Sequence, residues 1–167
     1  MLRKHLILPT LLSAGLGLSL FSCGGSDTET VEVPTEGLIT TVQEVSTDNY
    51  KIASEVPVAN IADSRIIVEN IEGMRDTFTL DEAKLISQVT DPNSSQGRPF
   101  RSAGMGYWGF LMLNRMGGTP SAGAYTNGAA HQNATSKAGS RMKSSARSTT
   151  RTKSGFGSGK STRSFGG

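Results

Sequence analysis

Apolar and polar residues alternate along the middle of the chain. In residues 50–58 (YKIASEVPV) one face is apolar, and it consists of Tyr50, Ile52, Val56 and Val58. A period of two predicts a half-buried strand, which leaves Glu55 among the polar positions. Pro57 either ends this strand or marks it as a sheet edge, because proline cannot donate to the ladder.

Two further runs have strand character. Residues 65–71 (RIIVENI) are rich in β-branched side chains, and in residues 74–80 Met74, Phe78 and Leu80 alternate with polar residues. Between the runs, Gly73 can supply the positive φ that a tight hairpin needs. A less regular run, residues 37–45 (GLITTVQEV), predicts an additional strand.

A helix is predicted directly after these strands. Thr79 and Glu82 have the spacing of a capping box, in which each side chain bonds the backbone of the other residue. An apolar face follows, formed by Ala83, Ile86 and Val89 with Leu85 at its margin. We expect a helix of about ten residues that ends near Thr90.

The predicted elements define the fold class and the domain organisation. Three or four strands and one helix make an α+β module over residues 48–91, a size at which one core is only weakly stable. Residues 1–22 are assigned to a lipoprotein signal peptide and residues 23–47 to a lipid anchor, an acidic tether and one strand. Residues 92–167 are expected to be a basic, Gly/Ser-rich, largely disordered tail.

The charge distribution separates these regions more sharply than the net charge of +3. Residues 24–91 contain all 14 acidic residues and four basic ones, whereas residues 92–167 contain 11 basic residues and no acidic one. The protein is therefore not uniformly basic, and its net charge alone does not predict a nucleic-acid partner. One cysteine in 167 residues excludes a disulfide framework and a cysteine-based zinc ribbon.

The tail has the composition of a chain that buries too little apolar surface to offset its ordering entropy. Residues 105–113 (MGYWGFLML) are the exception and include the one tryptophan, Trp108. Two interpretations stay open for this segment. It either folds back onto the module, or it places Trp108 and Tyr107 at the headgroup level of a bilayer.

The amino terminus has the pattern of an export signal. Arg3 and Lys4 precede a mostly apolar stretch, residues 6–20, which is too short to span a hydrocarbon core of about 30 Å. Residues 20–23 (LFSC) resemble the bacterial lipobox, although Phe21 departs from the small residue usual there. This predicts acylation of Cys23; the alternative is an ordinary signal peptide that is cut elsewhere.

The chain resembles an uncharacterised family of bacterial membrane lipoproteins over roughly residues 48–90. The resemblance is carried by residues 50–52 (YKI), 55–57 (EVP), 65–68 (RIIV), 73–75 (GMR) and 79–82 (TLDE). It implies a lipidated cysteine, a short acidic module, a long Gly/Ser-rich tail and a lipid-anchored protein without known activity.

These observations favour a non-catalytic envelope protein with a structural or binding role. The membrane is the expected partner through acylated Cys23. The basic tail is expected to contact anionic lipid, an envelope polymer or the chain's own acidic segment. Phe156 and Phe165 among Arg, Gly and Ser resemble RNA-binding tails, but export argues against nucleic acid. No cofactor is indicated, and the sequence does not distinguish the inner from the outer membrane.

An envelope enzyme, or a subunit of one, is the alternative class. It would use carboxylates of the module, of which the candidates are Glu55, Asp63, Glu69, Glu72 and Asp76. No spacing selects two of them as an acid–base pair, and a solvated acidic face explains them equally well. Neither His5, in the signal, nor His131, in the tail, is predicted to lie near a structured carboxylate.

Overall fold

The computed structural model describes residues 28–152. Its main sheet has four strands in the order β3-β2-β4-β5. β2 (Gly37–Ser46) and β3 (Asn49–Val58) form one hairpin, and β4 (Arg65–Glu69) and β5 (Arg75–Thr79) form another. The two hairpins join through parallel pairing of β2 with β4. The α+β prediction is confirmed, and β3 is an edge strand, as Pro57 indicated.

Helices cover the inner face of this sheet. α1 (Leu80–Val89), α2 (Arg98–Gly104) and α3 (Trp108–Leu113) are followed by α4 (Gly128–Asn133), a π-helical segment (Ala134–Gly139) and α5 (Ser140–Ser145). Short 3₁₀ turns lie at Ile61–Asp63 and Ala122–Ala124. Among the described residues, none of these helices has the length and apolar character needed to cross a membrane.

The local signals for α1 and the second hairpin act as the sequence predicts. The Thr79 hydroxyl accepts a hydrogen bond from the Glu82 amide at 3.2 Å, and the Glu82 carboxylate accepts one from the Thr79 amide at 2.8 Å. Gly73 has a φ of 82° in the β4–β5 turn. The predicted apolar face of α1 is only partly right, because Ala83 is buried but Val89 is 74% exposed.

The structure differs from the prediction of a largely disordered tail for residues 92–152. This part of the chain forms four α-helices, the π-helical segment and strand β6 (Arg147–Thr152). Ten of the fifteen buried members of the core cluster come from it: Phe100, Ala103, Tyr107, Trp108, Leu111, Ala124, Tyr125, Ala134, Ala138 and Met142. The module and the larger part of the predicted tail therefore share one core.

Residues 105–113 fold back onto the module, as one of the two interpretations proposed. Trp108 is fully buried and Tyr107 is 3% exposed. The interpretation that places these rings in a bilayer is therefore wrong. The ring of Tyr107 packs edge-on against Phe110, with 5.5 Å between ring centroids.

A two-stranded ribbon joins the two ends of the described chain. β1 (Thr28–Val33) pairs antiparallel with β6, and Thr28 lies opposite Thr152. The Arg141 guanidinium donates to both carboxylate oxygens of Glu36 at 3.0 Å, next to the ribbon. The predicted tether therefore begins to fold at Thr28, earlier than the sequence indicated.

Small residues in the C-terminal half serve close packing. Gly139 lies against the ring of Tyr107, so a Cβ at this position would overlap the phenol. Such close packing explains why the Gly-rich composition led to a prediction of disorder. A glycine here lets the backbone pack directly against a side chain, and it does not make the chain flexible.

We predict that Gly139→Ala destabilises the protein by about 2 kcal/mol, because an added methyl group in a packed core forces its neighbours apart. The matched control is Gly128→Ala, where no atom lies within 4 Å of the added Cβ. Urea unfolding of both variants measures the difference. Equal stability of the two would contradict the packing of residues 134–139 on Tyr107.

Candidate functional site

Glu55 is a buried carboxylate at the centre of the molecule, and its side chain bonds three separate parts of the chain. Its Oε2 accepts a hydrogen bond from the Tyr125 hydroxyl at 2.7 Å. Its Oε1 accepts one from the Trp108 amide at 3.0 Å, and a longer one, at 3.4 Å, from the Thr40 hydroxyl. The residue is 5% exposed.

A β-bulge places Glu55 inside. Thr41 pairs with Ser54 but Val42 pairs with Ile52, so Ala53 is the extra residue of β3. The bulge shifts the alternation by one position, so that Ile52 and Glu55 both point inward and Val56 is 52% exposed. Glu55 was among the candidate carboxylates of the sequence, but it was placed on the polar face, because the alternation of β3 was continued past the bulge.

Gly106 allows the Trp108 amide to approach the Glu55 carboxylate. A Cβ at Gly106 would lie 2.7 Å from Glu55 Oε1 and 2.5 Å from Ile52 Cδ1. Only a residue without a side chain allows the 106–108 backbone to approach this carboxylate and present the Trp108 amide. Tyr125 reaches it from the other side, where the Thr126 amide donates to the Ile52 carbonyl at 2.9 Å and extends the sheet edge.

Burial raises the pKa of Glu55, since the charged form loses its hydration. Hydrogen bonds from Tyr125, from the backbone at Trp108 and Tyr107, and from Thr40 act in the opposite direction and leave the pKa raised. Burial and the neighbouring Glu55 carboxylate in turn raise the pKa of the Tyr125 phenol, which stays protonated.

The hydrogen bonds of Glu55 link three segments of the chain. Both carboxylate oxygens are bonded to protein donors. Tyr125 packs against the His131 ring, with 5.2 Å between centroids, and His131 Nε2 lies 3.0 Å from the Pro120 carbonyl. His131 is thus next to the Glu55 partner Tyr125, not in contact with the carboxylate itself.

The other candidate carboxylates lie apart from Glu55. Asp63 belongs to the first 3₁₀ turn, Glu69 pairs with Arg75 at 3.2 Å, and Glu72 is exposed in the β4–β5 turn. Asp76 faces the inner side of β5, opposite Val68. Within residues 28–152, no three His, Cys, Asp or Glu side chains form a group that could hold a metal ion.

Several basic residues of the predicted tail bond within the folded body. Arg98 pairs with Asp48 at 2.6 Å, and Arg101 donates to the Asn93 side chain at 2.7 Å. Arg151 donates to the Asn114 carbonyl. Arg98 and Arg141 therefore pair with acidic residues of the first half of the chain, Asp48 and Glu36, whereas Arg101 and Arg151 bond to neutral groups.

Three predictions concern residues outside the described range. They are the signal peptide over residues 1–22, acylation of Cys23, and the Phe-containing end of the tail with Phe156 and Phe165.

We predict that replacing Glu55 by Gln changes the pH dependence of stability. Because the folded protein raises the pKa of Glu55, this group favours folding at pH values below its ordinary pKa, and that contribution is lost as the pH rises through the folded value. The stability of Glu55→Gln relative to the parent should therefore increase with pH from about 4 upwards. Urea unfolding across this pH range measures it.

The informative quantity is the difference in unfolding free energy between Glu55→Gln and the parent at each pH. The Thr79 amide and hydroxyl lower the pKa of Glu82, which adds an opposite pH dependence to both curves. Glu72→Gln, at an exposed position, is the matched control and should follow the parent curve. A Glu55→Gln curve parallel to the parent would contradict a raised pKa.

We also predict that Tyr125→Phe destabilises the protein by about 2 kcal/mol, because it removes a hydrogen bond to a buried carboxylate. Tyr50→Phe is the control, since Tyr50 is half-buried and its hydroxyl is not among the donors to Glu55 in the described structure. Thermal unfolding at neutral pH compares them, and equal losses would argue against the cross-link.

Comparison with known proteins yields one family. The chain has no match among curated proteins and none among solved structures. Residues 38–156 match the UPF0323 lipoprotein domain, a range that begins in β2 and continues past β6, across the boundary that the sequence predicted at residue 91. The match covers most of the described fold, so the chain belongs to the UPF0323 lipoprotein domain family, whose members are exported, membrane-associated proteins of uncharacterised activity.

Proposed function

We propose that this protein is a non-catalytic envelope protein, anchored by acyl chains on Cys23, whose folded body is held against the membrane while its basic C-terminal end contacts anionic envelope material. The observation that carries the proposal is the pairing of Thr28 with Thr152. These two residues are the ends of the described chain, so the segments that lead to Cys23 and to the C-terminus start from neighbouring positions.

The distance between anchor and body is short. Five residue steps separate Cys23 from Thr28, where β1 begins. Fully extended, they span at most about 17 Å, roughly half of a bilayer's hydrocarbon thickness. An acylated Cys23 would therefore keep the ribbon end of the body close to the headgroups.

The net positive charge lies in the sequence that follows β6. Residues 28–152 contain 13 acidic and 12 basic side chains, so the body is nearly neutral. Residues 153–167 contain Lys153, Lys160 and Arg163 and no acidic residue. Basic residues near an anionic surface contribute about 1 kcal/mol each, and a basic segment next to a lipid is a known two-signal form of membrane attachment.

We predict that the protein extracted from membranes begins at Cys23 and carries the additional mass of its acyl chains. Intact-mass measurement with and without an inhibitor of the lipoprotein signal peptidase tests this. Cys23→Ser should abolish the added mass. An unacylated mature chain, or one that starts at another residue, would overturn the proposed anchor.

We predict that the unacylated Cys23→Ser protein binds vesicles containing anionic phosphatidylglycerol weakly and releases them at high salt. Replacing Lys153, Lys160 and Arg163 together by Gln should remove this binding. The matched control replaces Lys137, Lys143 and Arg147, three basic residues within the body, and should keep most of it. Flotation of vesicles in a density gradient measures both.

The contrary result is equally definite. Vesicle binding that persists after the terminal substitutions and disappears after the control substitutions would move the contact to the folded body. Binding to neutral vesicles as strong as to anionic ones would rule out the electrostatic contact.

A further inference from the structure

A cavity of about 490 Å³ opens between the inner face of the sheet and helices α1 and α2. It lies at the end of the sheet where the β4–β5 hairpin and the α1–α2 loop face each other, away from the Glu55 cluster and from the β1–β6 ribbon. Its size is in the range of small-molecule sites in proteins.

The floor of the cavity is aromatic and aliphatic. Phe78 of β5 and Phe100 of α2 meet edge to face, with 5.0 Å between ring centroids and 74° between ring planes. Val68, Met74, Ile86 and Pro99 complete the apolar part of the wall. A ligand could therefore place an apolar body on these rings.

The polar part of the wall carries one charge. The polar lining side chains are Tyr50, Asn70, Asp76, Thr90, Ser95 and Gln96. Of these, only Asp76 is ionisable at neutral pH. Within the described residues, it forms no ion pair.

The surroundings of the cavity add to this negative charge. Burial raises the pKa of Tyr50, and the carboxylates of Glu44 and Asp48 raise it further, whereas Arg98 lowers it. Arg98 and Asp48 form an ion pair at 2.6 Å, so these two charges offset each other. Glu44 and Asp76 lie outside this pair, and their negative charge favours a cation at this end of the cavity.

Two turns with internal hydrogen bonds flank the mouth of the cavity. The Asn70 side chain accepts hydrogen bonds from the Glu72 and Met74 amides at 3.1 and 2.8 Å. In the opposite turn, the Asp91 side chain accepts from the Asn93 amide at 2.8 Å, and the Asp91 carbonyl accepts from the Ser94 hydroxyl at 2.7 Å. Internal hydrogen bonds therefore fix the conformation of both turns beside the cavity.

We propose that this cavity binds a small organic cation, with the apolar body of the ligand on Phe78 and Phe100 and its positive group at Asp76. Aromatic faces and a carboxylate together select such a ligand, since the rings attract cations as well as apolar groups. This site is independent of the lipid anchor and of the basic C-terminal end.

Three probes of matched size test the charge preference: benzylammonium, benzyl alcohol and benzoate. Each is titrated into ¹⁵N-labelled protein, residues 23–167 with Cys23→Ser, and amide shifts are followed by NMR. We expect benzylammonium to bind with a dissociation constant of about 1 mM and to shift the amides of Asn70, Asp76 and Gln96. The alcohol should bind more weakly, and benzoate should not bind.

Two variants with matched controls complete the test. Asp76→Asn should weaken benzylammonium binding about fivefold, the upper range for an exposed ion pair, whereas Asp81→Asn on the exposed first turn of α1 should not. Ile86→Trp should fill the cavity and weaken binding at least about tenfold. Leu85→Trp is its control, because Leu85 is 60% exposed on the outer side of the same helix.

The proposal is overturned if benzylammonium and benzoate bind equally, if the shifts map outside the cavity, or if Asp76→Asn binds like the parent. Asp76 is exposed, so Asp76→Asn should fold even if Ile86→Trp does not. The charge arm of the test therefore gives a result in either case.

Discussion

The burial of the Glu55 carboxylate is the constraint on which the rest of the fold depends. A carboxylate removed from water must be hydrogen-bonded or neutralised, because an unpaired one costs several kcal/mol. The donors for Glu55 come from Thr40 in β2, from Trp108 at the start of α3 and from Tyr125 before α4. The two halves of the chain therefore cannot separate without leaving this acid and its partners unsatisfied.

The sequence predicted the elements whose signals are local. A period of two predicted β3 and β5, β-branched side chains predicted β4, and a capping box fixed the start of α1, because these patterns depend on neighbouring residues only. Glu55 was assigned to the polar face because the bulge at Ala53 arises from pairing with β2, which the pattern of β3 alone does not contain. Burial of this carboxylate is a tertiary property.

Composition misrepresented residues 92–152 for a related reason. Glycine and serine lower the average hydrophobicity, yet Gly106 and Gly139 are the positions where backbone approaches a buried side chain. A positional signal was present: Phe100, Ala103, Tyr107 and Leu111 recur at helical spacing, as do Ala134, Ala138 and Met142. Small residues at such spacing indicate tight helix packing, which a measure of average composition does not detect.

Native-state hydrogen exchange tests most directly whether the chain forms one core tied together at Glu55. The Trp108 amide bonds to Glu55, and the Thr126 amide bonds to the Ile52 carbonyl. We predict that these two amides exchange as slowly as those of Val42 and Ile66 in the sheet, because all four exchange only through global unfolding. If the sheet amides are strongly protected while the amides of Trp108 and Thr126 exchange rapidly, the single core is contradicted. The C-terminal half would then be only loosely attached to the sheet.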